Sequence, residues 1–264
     1  MAPFILPYLK GRPESLNRYP NGITGKSFYQ KDVTGKIVDW IDLFPYKSKD
    51  EDQRKNYMIC NDEATLLYMA NLGCIEINPW SSTVKKPENP DWCIIDLDPG
   101  KRTGFDEVIE AAQVTYKILS QAGIPSYPKT SGSTGMHIYI PLGARYTYEH
   151  SKEFARLIVS IVHQQIPDFT SIERAVSARK GKMYLDFLQN RPQATLAAPY
   201  SARPKPGATV SMPLHWKEVK KGLSMQDFTI HNVPGLLKDR GDLFRPVLGK
   251  GIDMRKAIQA LDKI

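Results

Sequence analysis

The sequence predicts an α/β fold of the α+β kind, with mixed or antiparallel sheets flanked by helices, and three observations carry that prediction. Strand-like apolar runs and helix-period segments interleave along 264 residues without a regular βαβ rhythm. A composition of 41% hydrophobic and 24% charged residues suits one large domain, or two small ones, with a proper core. The run Trp92-Cys93-Ile94-Ile95-Asp96-Leu97-Asp98-Pro99-Gly100 has the alternation of a strand and, in Pro-Gly, a stop that leaves its two acids at a rim.

In chain order, residues 3 to 10 read as the end of an amphipathic helix closed by Gly11, as if the chain began in the middle of a domain. Arg18-Tyr19-Pro20-Asn21-Gly22 then turns between short strands toward Phe28-Tyr29-Gln30-Lys31, an aromatic and cationic tip. Those rings can either stack on bases or fill the core. Lys47 to Asn56 is polar and of mixed charge, a surface loop. Asn61 is the expected cap of a helix with Leu66, Leu67 and Ala70 on one face; Gly73 ends it and Cys74-Ile75-Glu76-Ile77 follows as a strand.

Ser81 to Asp91 is a second loop. Beyond the acidic strand, Thr103 and Asp106 form the expected capping box of a helix with Phe105, Val108, Ile109, Ala112 and Leu119 inward, closed by Gly123. Ser131-Gly-Ser-Thr-Gly135 is a small-residue loop whose amides can form an anion nest or a plain surface loop; it feeds the strand His137-Ile138-Tyr139-Ile140. A helix from about Glu149 to Ile166 buries Phe154, Leu157, Ile158, Ile161 and Val162. Ala198 to Arg203 ends another short strand, a Pro-rich segment runs to Pro213, and a short helix near Trp216 precedes a C-terminal helix with Met254, Ala257, Ile258 and Leu261. The chain is read as one domain over 1–264, with 238–264 a helical extension.

Composition narrows the function classes. A net charge of +8 permits a polyanionic partner or simply a solvated basic surface. Cys60, Cys74 and Cys93 lack CxxC spacing and read as reduced core thiols, and the N-terminus lacks the basic start and cleavage site of a signal peptide. With no run of 18 apolar residues, the expectation is an intracellular protein without a membrane span.

Chemistry concentrates on carboxylates. Asp96 and Asp98, two apart on a strand, share a face, where like charges call for a cation; a lone pair of this kind is as often a polar turn. The second acidic strand, Met183-Tyr184-Leu185-Asp186-Phe187-Leu188, supplies a third carboxylate, with Arg174, Arg179, Lys180 and Lys182 before it. Three carboxylates from two strands are what two-metal phosphoryl transfer requires.

With DLDPG, SGSTGMHIY, MYLDFLQN and APYSAR in this order, preceded by RYPNG, SFYQK and NDEATLLYMANLGCIEINPW, the sequence resembles the polymerase domain of bacterial DNA ligase D, within the archaeo-eukaryotic primase-polymerase superfamily. The resemblance runs to about Leu237. It implies a core of two sheets flanked by helices and a two-metal site for Mn²⁺ or Mg²⁺ on Asp96, Asp98 and Asp186. It also implies that Ser131 and His137 hold the nucleotide triphosphate, with Gln189 and Arg203 at the nucleotide and the active-site rim. Phe28 and Tyr29, with Lys31 beside them, would meet DNA at a break.

There are three departures from that pattern. Thr134 stands where the family often has Lys, and Asn78 where a histidine is frequent, so both nucleotide-facing positions lose a cation or ring. The family's N-terminal segment, which binds a downstream 5′-phosphate, has no counterpart.

The expected activity is template-dependent addition of nucleotides, ribonucleotides preferred, to 3′-hydroxyl ends in gap filling and end joining. The expected partners are broken or gapped DNA, NTP or dNTP, Ku and an ATP-dependent DNA ligase, at the bacterial nucleoid. Alternatives are a replicative-type primase and a catalytically inactive DNA-end-binding module. An aspartate-nucleophile phosphatase of the haloacid-dehalogenase kind expects Thr or Val where Gly100 stands, and it leaves Asp186 unexplained.

Overall fold

The computed structural model describes residues 1–48 and 53–264. In chain order they form α1 (Ala2–Leu9), β1 (Glu14–Arg18), β2 (Phe28–Gln30), β3 (Leu43–Tyr46), β4 (Lys55–Met58), α2 (Glu63–Asn71), β5 (Cys74–Pro79) and β6 (Trp92–Asp98). There follow α3 (Phe105–Gln121), β7 (Tyr127–Thr130), β8 (Met136–Pro141), α4 (Tyr148–Gln165), β9 (Thr170–Ser171), β10 (Met183–Asp186), α5 (Val233–Arg240) and α6 (Met254–Leu261). The fold is mixed α/β, as the interleaved pattern predicts. It has a third small sheet where two were expected: a five-stranded sheet in the order β7-β8-β6-β10-β9, a three-stranded sheet β2-β1-β5, and the hairpin β3-β4. All pairings are antiparallel except β10 with β9.

β6 is the centre of the large sheet because its two faces are written differently. Cys93, Ile95 and Leu97 are fully buried on the side covered by α3 and α4, where the Cys93 thiol reaches Ser151 O. Ile94, Asp96 and Asp98 take the other side, so strand alternation alone separates core from chemistry. The start of β6 is pinned by Arg12, which pairs with Asp91 at 2.6 Å and lies 4.1 Å over the Trp92 ring. Asn190 locks the far side: its amide accepts from Ile94 N at 2.8 Å and donates to Ile94 O at 2.7 Å, continuing the ladder where β10 has ended. The three cysteines are buried and unpaired, and burial pushes the Cys74 and Cys93 thiols up to about 12.

Several local expectations shift. Helix α2 is capped by Asp62, whose carboxylate accepts from Thr65 N, because Asn61 is engaged with Gly11 N and Asp42. Its inward face carries Thr65 and Met69, leaving Leu67 63% exposed. In α3 the box forms one residue later, with Gly104 N donating to Glu107 Oε2, since the Thr103 hydroxyl accepts from Gly100 N instead. Leu157 and Ile161 of α4 are only half buried. Lys55 and Asn56 belong to the β3-β4 hairpin rather than to a loop, while 49–52 of that expected loop lie outside the described residues. Residues 198–203 form one isolated bridge, Ala202 with Val210, and no strand, because Tyr200 turns to φ +67° and the Ser201 hydroxyl takes the Ile77 N–H that a ladder would use. Among the described residues no helix is long and apolar enough to cross a membrane.

Candidate active site

The registers of the large sheet put four titratable residues in one transverse row. Asp186 of β10 stands opposite Asp96 of β6, Asp96 opposite His137 of β8, and His137 opposite Lys129 of β7. Directly opposed residues share a face with Cβ atoms about 5 Å apart, so the row is a contiguous stripe. Asp98 is one strand repeat further along and is exposed at the rim.

Burial and mutual repulsion set the charges. Asp96 is held well above the usual carboxylate range by burial first, then by Asp186 and Asp98. Asp98, exposed at the rim, is raised by partial desolvation of its carboxyl group and by Asp186, with Arg179 opposing. Asp186 accepts from Leu188 N at 2.7 Å and from Gln189 Nε2 at 2.9 Å, so the residues just after β10 hold this carboxylate. Among the described residues no three His, Cys, Asp or Glu side chains already stand as a closed metal-ligand set. The donor chemistry nevertheless fits a hard divalent cation: crowded carboxylate oxygens whose ionisation is opposed by one another.

Asp96 and Asp98 open onto a cleft of about 260 Å³ whose other walls include Tyr29, Glu76, Asn78, Ser131, Thr134 and Arg203. The loop 131–135 seats tightly on the end of β6, since a Cβ on Gly135 would meet Leu97 O at 2.1 Å. Gly132, at φ +67°, lets Arg203 cross over it. The Ser131 hydroxyl accepts from Ser133 N and Gly135 N, both at 3.0 Å, so two amides of the expected anion nest are spent inside the loop. Arg203 ion-pairs with Glu76 at 3.0 Å and donates to Ser131 O. Glu76 also accepts from Tyr29 OH at 3.3 Å; burial first, then Glu76, pushes the Tyr29 phenol up to about 12. The Asn78 amide donates to Ser15 O and Glu76 O, both at 3.3 Å, which turns its NH₂ toward the backbone rather than toward the cleft.

Of the residues singled out in the sequence, the structure gathers Asp96, Asp98, Ser131, Thr134, His137, Asn78, Arg203 and Tyr29 around the cleft, with Asp186 in the adjoining row and Gln189 hydrogen-bonded to it. Phe28 and Lys31 are not cleft-lining residues. Phe28 is 46% exposed beneath the Arg18 guanidinium, and Tyr29 61% exposed, so neither ring is a core residue. Lys129, Glu76 and Ser211 are not among the residues the sequence singles out. The available signal for Lys129 was its strand position just before the small-residue loop; Glu76 and Ser211 gain their partners only through the fold.

Comparison with known proteins bears on the family and the fold. A family model for the LigD primase-polymerase domain matches residues 1–244. The bifunctional non-homologous end joining protein LigD of Bacillus subtilis (strain 168) is 35% identical over 242 residues, 91% of this chain and 38% of that protein. The multifunctional LigD of Pseudomonas aeruginosa is 31% identical over 239 residues, 90% of this chain and 28% of that protein. The chain thus spans roughly a third of the length of these relatives. The polymerase domain from Mycobacterium tuberculosis ligase D, solved in complex with DNA, shares the fold with a TM-score of 0.85 at 23% identity, over 95% of this chain and 89% of that one. By the extent of the family match and the identity to its curated relatives, the chain belongs to the LigD primase-polymerase domain family.

Proposed function

We propose that the chain is a template-directed nucleotidyltransferase that adds nucleotides, ribonucleotides by preference, to the 3′-hydroxyl of DNA at gaps and double-strand breaks. One observation carries the reading: Asp186, Asp96 and His137 lie side by side on three neighbouring strands, with Asp98 one repeat along, at the edge of a cleft that also holds Arg203. Asp96, Asp98 and Asp186 would hold Mn²⁺ or Mg²⁺, which when bound lowers the pKa of the attacking hydroxyl and neutralises the leaving pyrophosphate.

The chain's own residues bind and orient. His137 Nε2 and the Arg203 guanidinium offer donors for triphosphate oxygens, and Glu76 keeps Arg203 aimed across the Ser131 carbonyl. Gln189 fixes Asp186, and Ser131 keeps the loop shaped, with Thr134 and Asn78 completing the nucleotide wall. Phe28, Tyr29 and Lys31, at the edge of the three-stranded sheet, suit stacking and phosphate contact with template DNA. The end-joining names of the two LigD relatives and the DNA bound to the mycobacterial domain support DNA breaks as substrate. Ku, an ATP-dependent ligase and the bacterial cytoplasm are proposed together with that substrate.

The test is extension of a primer on gapped duplex by the purified chain, with NTP or dNTP and with Mn²⁺ or Mg²⁺. Template-dependent addition that needs a divalent cation is expected. De novo synthesis without a primer would favour the primase reading, and DNA-end binding with no addition under any condition would favour an inactive end-binding module.

A further inference from the structure

The row across the sheet does not stop at His137. Lys129 is fully buried, with Nζ 2.8 Å from His137 Nδ1 and 2.5 Å from Ser211 Oγ. Proton counting gives these contacts a direction. The Ser211 hydroxyl has one proton, given to Thr130 O at 2.9 Å, so toward Lys129 it can only accept. An ammonium has three N–H bonds and no lone pair, so it must also donate to His137 Nδ1. A ring nitrogen that accepts carries no proton, and a neutral imidazole then keeps its proton on Nε2. With Nδ1 bare and one proton on Nε2, the ring is the neutral imidazole. Its Nε2 faces Asp96 Oδ1 at 3.4 Å, too far for a full hydrogen bond, so this donor is not consumed within the row.

Burial also pulls the Lys129 ammonium down, assisted by Arg203, while Asp96 and Glu76 hold it up. An uncharged amine could instead accept from an Nδ1–H, which would put the imidazole proton on the other nitrogen. The surroundings of Nζ suit a cation: the accepting Ser211 oxygen, and the face of Tyr139 at 5.8 Å.

We propose that Lys129 is a positioning residue that fixes His137 as the Nε2–H tautomer, so that the cleft presents a donor to a phosphate oxygen of the incoming nucleotide. The ligand half of this statement rests on the nucleotide-site reading above; the tautomer half does not. Lys129 itself touches no substrate.

The experiment reads the ring nitrogens of His137 by two-bond ¹H–¹⁵N correlation in the metal-free, nucleotide-free chain, with the His137→Gln spectrum assigning the signal among five histidines. The wild type should show Nε2 protonated and Nδ1 bare, and Lys129→Met should move the ring toward the Nδ1–H form. In parallel, Lys129→Met should weaken ATP binding on the order of tenfold, the scale of one hydrogen bond to a charged group, with no further loss in a His137→Gln background. An Nδ1–H tautomer in the wild type, or an unchanged tautomer in Lys129→Met, overturns the proposal. If the variant does not fold, the wild-type tautomer alone decides. Failure of the wild type to bind ATP while His137 is Nε2–H overturns the nucleotide reading and leaves the tautomer assignment standing.

Discussion

Replacing Asp96 with Asn should make the metal-free chain more stable while removing its activity. The carboxylate sits in the row beside Asp186, and opposed side chains on neighbouring strands are about 5 Å apart at Cβ. Two unit charges at roughly 6 Å repel by about 3 kcal/mol at an effective dielectric of about 20. Attraction from Lys129 and Arg203 offsets part of this without reversing it, since the Asp96 pKa remains raised. A net gain of about 1–2 kcal/mol is expected, a rise in melting temperature of about 2–6 °C for a chain of this size. The sign of the pH dependence follows. A carboxyl whose folded pKa is raised contributes stability that is present below its ordinary value and lost as pH rises through the folded pKa. The advantage of Asp96→Asn should therefore be absent in acid and grow toward neutral pH. Thermal melts in EDTA across that range test it. A variant less stable than wild type at neutral pH, or an advantage independent of pH, would refute the account of a frustrated carboxylate cluster.

Three further outcomes are expected. Ala at both Phe28 and Tyr29 should cost about 1–3 kcal/mol per stacked base on gapped or broken ends, and far less on a long continuous primer-template, with melting temperature nearly unchanged because both rings are exposed. DNA affinity should fall steeply with salt and vary little with sequence, since a net charge of +8 favours phosphate contacts; titrations at two salt concentrations would decide. Glu14 is buried with both carboxylate oxygens unpartnered, and burial, opposed by Arg12, holds its pKa well above normal. Its contribution to stability is thus lost as pH rises, and Glu14→Met should gain about 1–3 kcal/mol at neutral pH and less in acid, read by denaturant melts.

What the sequence made legible was local. Period-two alternation put Asp96 and Asp98 on one face of β6, and the apolar interruption at Asp186 marked its partner strand, because both signals lie within a few residues of the groups concerned. The helices were legible for the same reason, with caps misjudged by one residue where a hydroxyl or amide found a different partner, as Thr103 did with Gly100. Lys129 and Glu76 were not legible. A charged residue is buried only where the fold returns a partner to it, and here the partners, Ser211 and Arg203, lie far along the chain. The anion-nest reading of 131–135 failed in part for a related reason: a short-range hydrogen bond from backbone to the Ser131 hydroxyl uses the amides that composition left free.

The central claim is that Asp96, Asp98 and Asp186 act together as the metal-dependent nucleotidyl-transfer site. Its most direct test is single-turnover extension of a gapped primer by Asp98→Ala and Asp186→Ala beside wild type, at matched Mn²⁺ concentration and with DNA binding measured on the same samples. Loss of nucleotide addition in both variants with DNA binding retained is the predicted result. Extension at the wild-type rate by either variant would contradict it.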